Sequence, residues 1–185
     1  MKYLVAGLGN IGPDYAETRH NIGFMVLDKL ASKLESGFES ARYGDKAVVS
    51  HKNRTFILIK PSTYMNRSGK AVQYWLNKEK LTPERLLVVV DDVSLPTGLL
   101  RMRAKGGDGG HNGLASIIDI LGHNNFARLR FGIGNEYPKG FQSQYVLGKW
   151  EKEELEVVKP QVEKACEMIL SFGTIGVDRT MNLFN

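Results

Sequence analysis

The chain has 185 residues and only one cysteine, Cys166. No intrachain disulfide can form, and a reducing compartment, the cytoplasm, is the expected setting. No apolar run approaches the roughly 20 residues that cross a bilayer, which argues against a membrane partner. The start, Met1-Lys2-Tyr3-Leu4-Val5-Ala6, is apolar too briefly for a secretory signal and has no basic stretch before it. Internal repeats and low-complexity tracts are lacking, so a single domain over residues 1–185 is expected. There is no HExxH and no paired-cysteine spacing, which removes the common zinc motifs, and no metal is expected. There is no GxSxG elbow for a serine nucleophile. Cys166 stands near Met168 and Ile169 in a helical pattern and reads as packing rather than as a thiol nucleophile.

What is present is an ordinary globular composition, 42% hydrophobic and 24% charged, with a formal net charge of +5. That mild basic excess is compatible with a nucleic-acid partner and does not establish one. The glycines gather at residues 7–12 and 106–113, between regular elements. Residues 2–8 read as a buried strand leaving into the first glycine loop. Ile22, Val26, Leu27, Leu30, Ala31 and Leu34 fall at helical spacing and predict a helix over about 21–34. Residues 47–50 and 54–60 predict two strands around a turn, and a helix follows over about 68–76. The valine-rich run 86–90 predicts a strand buried on both faces. Residues 99–103 and 127–134 alternate apolar and basic, as strands with one polar face do. A helix is expected over 114–121 and a last one over 151–172, kinked or restarted at Pro160. Strands alternating with helices predict an α/β domain with a twisted mixed sheet flanked by helices.

Gly7-Leu8-Gly9-Asn10-Ile11-Gly12 is a literal GxGxxG after a strand. A dinucleotide site needs a helix opening at the motif to hold a pyrophosphate. Here Pro13-Asp14-Tyr15 follows, and the helical pattern starts only near Asn21. The acidic residue at the required distance, Asp28, falls mid-helix instead of at the end of a second strand. A tight strand exit accounts for these glycines, and no cofactor is expected.

In open α/β sheets, ligands gather at the carboxyl ends of the strands. Asn10 and His20 follow the first strand, Asn66 follows Pro61, and Asp91 follows Val90. Asn112 lies in the second glycine loop. Each residue alone also has a plainer reading. His20 at a helix start serves equally as a cap or surface group, and Asp92 competes with Asp91. Asn66 and Asn112 suit the helix starts that follow them. Tyr64 and Met65 suit a core. Arg101, Arg103, Arg128 and Arg130 supply basic strand positions that fit phosphate contacts.

Several segments stand together in order: Gly7 to Asn10, Tyr15, Thr18-Arg19-His20-Asn21-Ile22-Gly23, and Pro61-Ser62-Thr63-Tyr64-Met65-Asn66-Arg67-Ser68-Gly69. They are followed by Asp91-Asp92, Leu95-Pro96-Thr97-Gly98, Gly109-Gly110-His111-Asn112-Gly113 and Arg128 to Gly134. In that order and spacing the sequence resembles bacterial-type peptidyl-tRNA hydrolase, from Leu4 to about Lys149, more weakly beyond. The resemblance implies hydrolysis of the ester joining a peptide to the terminal ribose of tRNA. It implies His20 as catalytic base, Asp91 as its carboxylate partner, and Asn10 with them. It places Tyr15, Tyr64, Met65, Asn66, Asn112 and Gly109 on the substrate. Arg130, with Arg103 or Lys105, is implied for the tRNA end phosphate. It further implies a monomer that needs no metal. The polar stretch 137–144 reads as a loop and, with the residues to 150, as a lid over the cleft.

The residue types suit that chemistry. A histidine accepts a proton from water near neutrality, and a carboxylate orients its ring. Neutral amides hold a carbonyl or oxyanion without adding charge. Two departures stand out: Ser94 where the family commonly has a further aspartate, and Asp108 in a loop expected near RNA. The rival reading is a non-catalytic RNA-binding relative of the same fold, and intact Asn10, His20, Asn66, Asp91 and Asn112 argue against it.

Overall fold

The computed structural model describes residues Met1–Asn185. Seven strands form one mixed sheet in the order β2-β3-β4-β1-β5-β7-β6. They are β1 (Lys2–Gly7), β2 (Glu39–Ala41), β3 (Gly44–His51), β4 (Arg54–Pro61), β5 (Leu86–Asp92), β6 (Leu100–Arg103) and β7 (Ala127–Gly132). The central four, β4-β1-β5-β7, run parallel. β2 and β3 add antiparallel on one side and β6 on the other.

Side-chain alternation divides the interior into two cores. Val5, Leu87 and Val89 face α1 (Ile22–Lys33) and α5 (Lys152–Ile175). Leu4, Ala6, Leu86, Val88 and Val90 face α2 (Ser68–Glu79) and α3 (Asn112–Leu121). Each parallel strand is thus apolar on both faces, as the valine run 86–90 predicts. The α/β sheet flanked by helices agrees with the expectation from the sequence.

Four details differ from that expectation. The helix expected to break at Pro160 is continuous. Pro160 and Glu156, whose carbonyl loses a partner, both lie on the solvent side, where that carbonyl is open to water. Residues 137–144 are not wholly loop, because α4 (Gln142–Val146) forms there. The short edge strand β2 and the last helix, α6 (Val177–Phe184), are additional. Beyond α6, the Asn185 side chain accepts from the Met102 N–H and donates to the Met102 carbonyl, both at 2.9 Å. It satisfies part of the open edge of β6, which would otherwise offer unpaired backbone groups.

One close approach sets up the site. A Cβ on Gly7 would collide with the Gly23 carbonyl, and a Cβ on Gly23 would lie 2.7 Å from the Val89 oxygen. The absence of side chains lets the first turn of α1 press against the ends of β1 and β5. That contact, not a bound pyrophosphate, explains the first glycine of the GxGxxG.

Candidate active site

β1 leaves the sheet toward β4 and β5 leaves toward β6 and β7, so the two neighbours part at their carboxyl ends. This is where an open α/β sheet forms a crevice. Asp91 is the sixth residue of β5, and His20 sits in a single 3-10 turn, Arg19–Asn21, that leads into α1. The loop between is fixed by Asn21, whose side chain accepts from the Asn10 N–H and donates to the Asn10 carbonyl, both at 2.8 Å. An asparagine at a helix start reads as a cap in sequence, and this clamp across the loop was not foreseen from it.

His20 Nδ1 lies 2.9 Å from both oxygens of Asp91. The carboxylate accepts, so Nδ1 carries the hydrogen and Nε2 keeps its lone pair. The two side chains are 12% and 3% exposed, which limits competition from water. A second histidine completes the group. His111 Nδ1 accepts from the N–H groups of Gly113 and Leu114, capping α3. Its Nε2 must therefore carry the hydrogen, and it donates to Asp91 Oδ1 at 2.9 Å. Burial alone would raise the Asp91 carboxyl. His111 foremost, and then His20, outweigh that penalty and hold it well below the usual carboxylate range. Within the Gly109–Gly113 segment, little in the sequence marks His111 for this role. Its only signal was its position just before a helix.

His20, Asp91 and His111 also form a cluster of the kind that can hold a metal ion. Their facing atoms already satisfy one another at hydrogen-bond distance, and a zinc–nitrogen bond needs about 2.0–2.1 Å. The His111 Nε2 hydrogen would also have to leave. The donor set fits a hydrogen-bonded triad better than an ion.

A cleft of about 540 Å³ opens over His20 and Asp91, with Arg103, Lys105, Gly109, His111, Asn112 and Arg130 among its lining residues. Of the residues singled out from sequence, these share one space with the histidine–carboxylate pair. Asn10 borders a neighbouring groove with Asn21 and Phe24. Tyr15 ends a 3-10 turn on the surface, and Tyr64 is 78% exposed. Met65 is buried, against Leu8 and the α2–α3 core. Asn66 is exposed in the turn before α2. Neither Asn66 nor Asn112 is the cap of its helix, since those positions belong to Arg67 and His111.

The basic strand residues divide sharply. Arg128, expected among phosphate contacts, is 2% exposed. Its guanidinium donates to the carbonyls of Gly106, Gly107, Asn124 and Phe126 and holds the second glycine loop from beneath. This corrects the expectation: the glycine loop takes one terminal nitrogen and the turn before β7 takes the other. Arg130 pairs with Asp92 and donates to the Ser94 hydroxyl, while Ser94 donates to Asp92. Ser94 therefore belongs to the group that orients Arg130. Asp108 accepts from the Gly110 N–H at 2.8 Å and shapes the loop turn. Arg103 and Lys105 are exposed at the cleft without a carboxylate partner.

No helix is long and apolar enough to cross a membrane. Fold and site together define the class: an α/β enzyme with a carboxylate-backed histidine at the strand ends, its Nε2 without a partner. The peptidyl-tRNA hydrolase family model matches residues 4–185. A peptidyl-tRNA hydrolase of Bacteroides fragilis is 54% identical over 185 residues, covering 100% of this chain and 99% of the relative. One from Cytophaga hutchinsonii is 52% identical, covering 100% and 98%. The crystal structure of the Acinetobacter baumannii peptidyl-tRNA hydrolase superposes with a TM-score of 0.93 at 34% identity, covering 99% of this chain and 94% of that one. The chain belongs to the peptidyl-tRNA hydrolase family, and the reading as a non-catalytic relative is set aside. The match runs through α5 and α6, where the motifs alone carry the likeness more weakly.

Proposed function

We propose that this chain hydrolyses the ester between a peptide and the terminal ribose of tRNA, with His20 as the base that activates water. The observation that carries the assignment is the pairing of His20 Nδ1 with both oxygens of Asp91, which leaves Nε2 unpartnered at the cleft. Water attacks the ester carbonyl carbon as Nε2 takes its proton. Asp91 holds the ring and favours the imidazolium that forms. The tetrahedral intermediate then expels the ribose oxygen, which takes the proton back from Nε2. No covalent enzyme intermediate is needed.

Asn112 lies in the cleft and supplies a neutral donor for the oxyanion, a role worth about 2.7–4 kcal/mol where such a donor is lost. Asn10 and Asn66 meet the peptide side, with Tyr15, Tyr64, Met65 and Gly109 along its path. An amide at Asn10 favours a substrate whose α-nitrogen is a neutral amide over one bearing a charged ammonium. Arg103 and Lys105, both free of acidic partners, meet the end phosphate, and Arg130 joins them from its place beside Asp92. Phosphate contacts of this kind set register without reading sequence. The chain acts as a cytoplasmic monomer without a metal, and residues 137–150 cover the cleft.

The test is hydrolysis of N-acetylaminoacyl-tRNA by the wild type and by His20→Ala. The expected fall in kcat is about 10²–10⁴-fold, the usual contribution of a positioned general base. Equal rates for the two proteins overturn the mechanism, and no rate for either overturns the activity.

A further inference from the structure

The residue beside the base is as buried as the core. Arg19 is 7% exposed, in the same turn as His20. A buried guanidinium is costly unless fully engaged. Every partner it has belongs to residues 145–154. Its NH2 group lies 2.6 Å from Glu154 Oε1 and its Nε 3.3 Å from Oε2. Its NH1 group donates to the Tyr145 carbonyl at 3.0 Å. Its plane lies 4.2 Å from the Tyr145 ring centroid and 5.8 Å from that of Trp150.

The backbone repeats the connection. The Arg19 N–H donates to the Gly148 carbonyl at 3.0 Å, and Thr18 bridges Lys149. Gly148 leaves room for this packing, since a Cβ there would lie 2.8 Å from the guanidinium. Glu154 is doubly used, because Oε1 also accepts from the Glu151 N–H and caps α5. At its other end the same segment is tied by the Tyr145 hydroxyl to the Ile133 carbonyl at 2.6 Å. Next to these ties, α4 presents Gln142, Ser143 and Val146 to the cleft that holds His20.

We propose that Arg19 is a positioning residue: through its buried pairing with Glu154 it holds the α4 wall of the cleft onto the turn that carries His20. His20 itself is held separately, by Asp91, and Asn21 secures the loop before it. Loosening Arg19 therefore frees the wall before it disturbs the base. The effect falls on substrate binding, assuming the ester hydrolysis proposed above.

The variants are Arg19→Gln, Arg19→Lys and Glu154→Gln, in the full chain. KM for N-acetylaminoacyl-tRNA is expected to rise about tenfold in Glu154→Gln, the loss of one hydrogen bond to a charged group, and at least as much in Arg19→Gln, which loses more. Arg19→Lys, which keeps charge without the planar fork, falls between. The pH profile of kcat keeps its shape. A second readout needs no activity: trypsin cleavage after Lys139 is expected to accelerate at least tenfold in Glu154→Gln relative to wild type. KM within twofold of wild type in these variants, or a loss confined to kcat, overturns the proposal. So does unchanged cleavage after Lys139. A wild type that fails to hydrolyse the substrate overturns the proposed activity, and the cleavage comparison still decides the role of Arg19.

Discussion

Two glycine-bearing loops each deliver one histidine to the same carboxylate, and they deliver it differently. The loop after β1 gives Asp91 the Nδ1 of His20 and leaves Nε2 unpartnered. The loop before α3 gives Asp91 the Nε2 of His111 and spends Nδ1 on the Gly113 and Leu114 N–H groups. The rings are close, with centroids 5.0 Å apart. Proximity to the carboxylate does not make a base; an unspent lone pair does. On the proposed mechanism, His111 is therefore a positioning group and His20 the proton acceptor.

The largest effect expected from breaking this arrangement is that of Asp91→Asn. An amide offers one oxygen and one NH2 group where the carboxylate offered two oxygens. With His111 locked as an Nε2 donor, its hydrogen claims the amide oxygen. His20 Nδ1 then faces the NH2 group and accepts, which moves its hydrogen to Nε2 and removes the base. The loss in kcat should approach that of His20→Ala, about 10²–10⁴-fold. A loss under tenfold, with the protein folded, shows that His20 does not depend on Asp91 for its tautomer.

The next effect separates the two histidines. Asparagine is among the best helix caps, so His111→Asn keeps acceptors for the α3 N–H groups and gives up the Asp91 contact. The expected cost is about tenfold in kcat, one hydrogen bond to a charged group, with little change in Tm. His111→Ala loses the cap as well, and should lose about 1 kcal/mol of stability besides. If His111→Asn lowers kcat as far as His20→Ala does, the distinction between the two loops fails and His111 is itself catalytic.

The contrast also explains what could be read from the sequence. His20 and Asp91 were legible because strand ends and helix starts are set locally, by the valine run before Asp91 and the helical spacing after Asn21. His111 was not. Its role depends on the start of α3 meeting the end of β5, a contact between elements 20 residues apart. Arg128 misled because alternation along β7 locates a face but not what covers it. Here the 106–107 carbonyls fold over it. Arg19 gave no signal at all, since its partner Glu154 lies 135 residues away. Six of the seven strands and four of the helices follow from periodicity within single segments, and the site follows from which segment ends meet. Pro160 marks the limit of local rules, because a proline on a hydrated helix face leaves a carbonyl that water can serve.

The smallest effect is thermodynamic and tests which histidine governs the carboxylate. Asp91 titrates lower in the native state than in the unfolded chain. Its contribution to stability is present above the ordinary aspartate value of about 3.9. It is lost as pH falls below that, because the unfolded chain takes up a proton while the native carboxylate resists until its lower value is reached. Denaturant melts between pH 5 and pH 3 read this slope, which for one proton cannot exceed about 1.4 kcal/mol per pH unit. Asp91→Asn should flatten it most. His111 opposes the burial penalty more strongly than His20 does, so His111→Asn should flatten the slope more than His20→Asn. The opposite order would mean that His20 controls both the charge of Asp91 and the proton transfer. His111 would then be left with the cap of α3 alone.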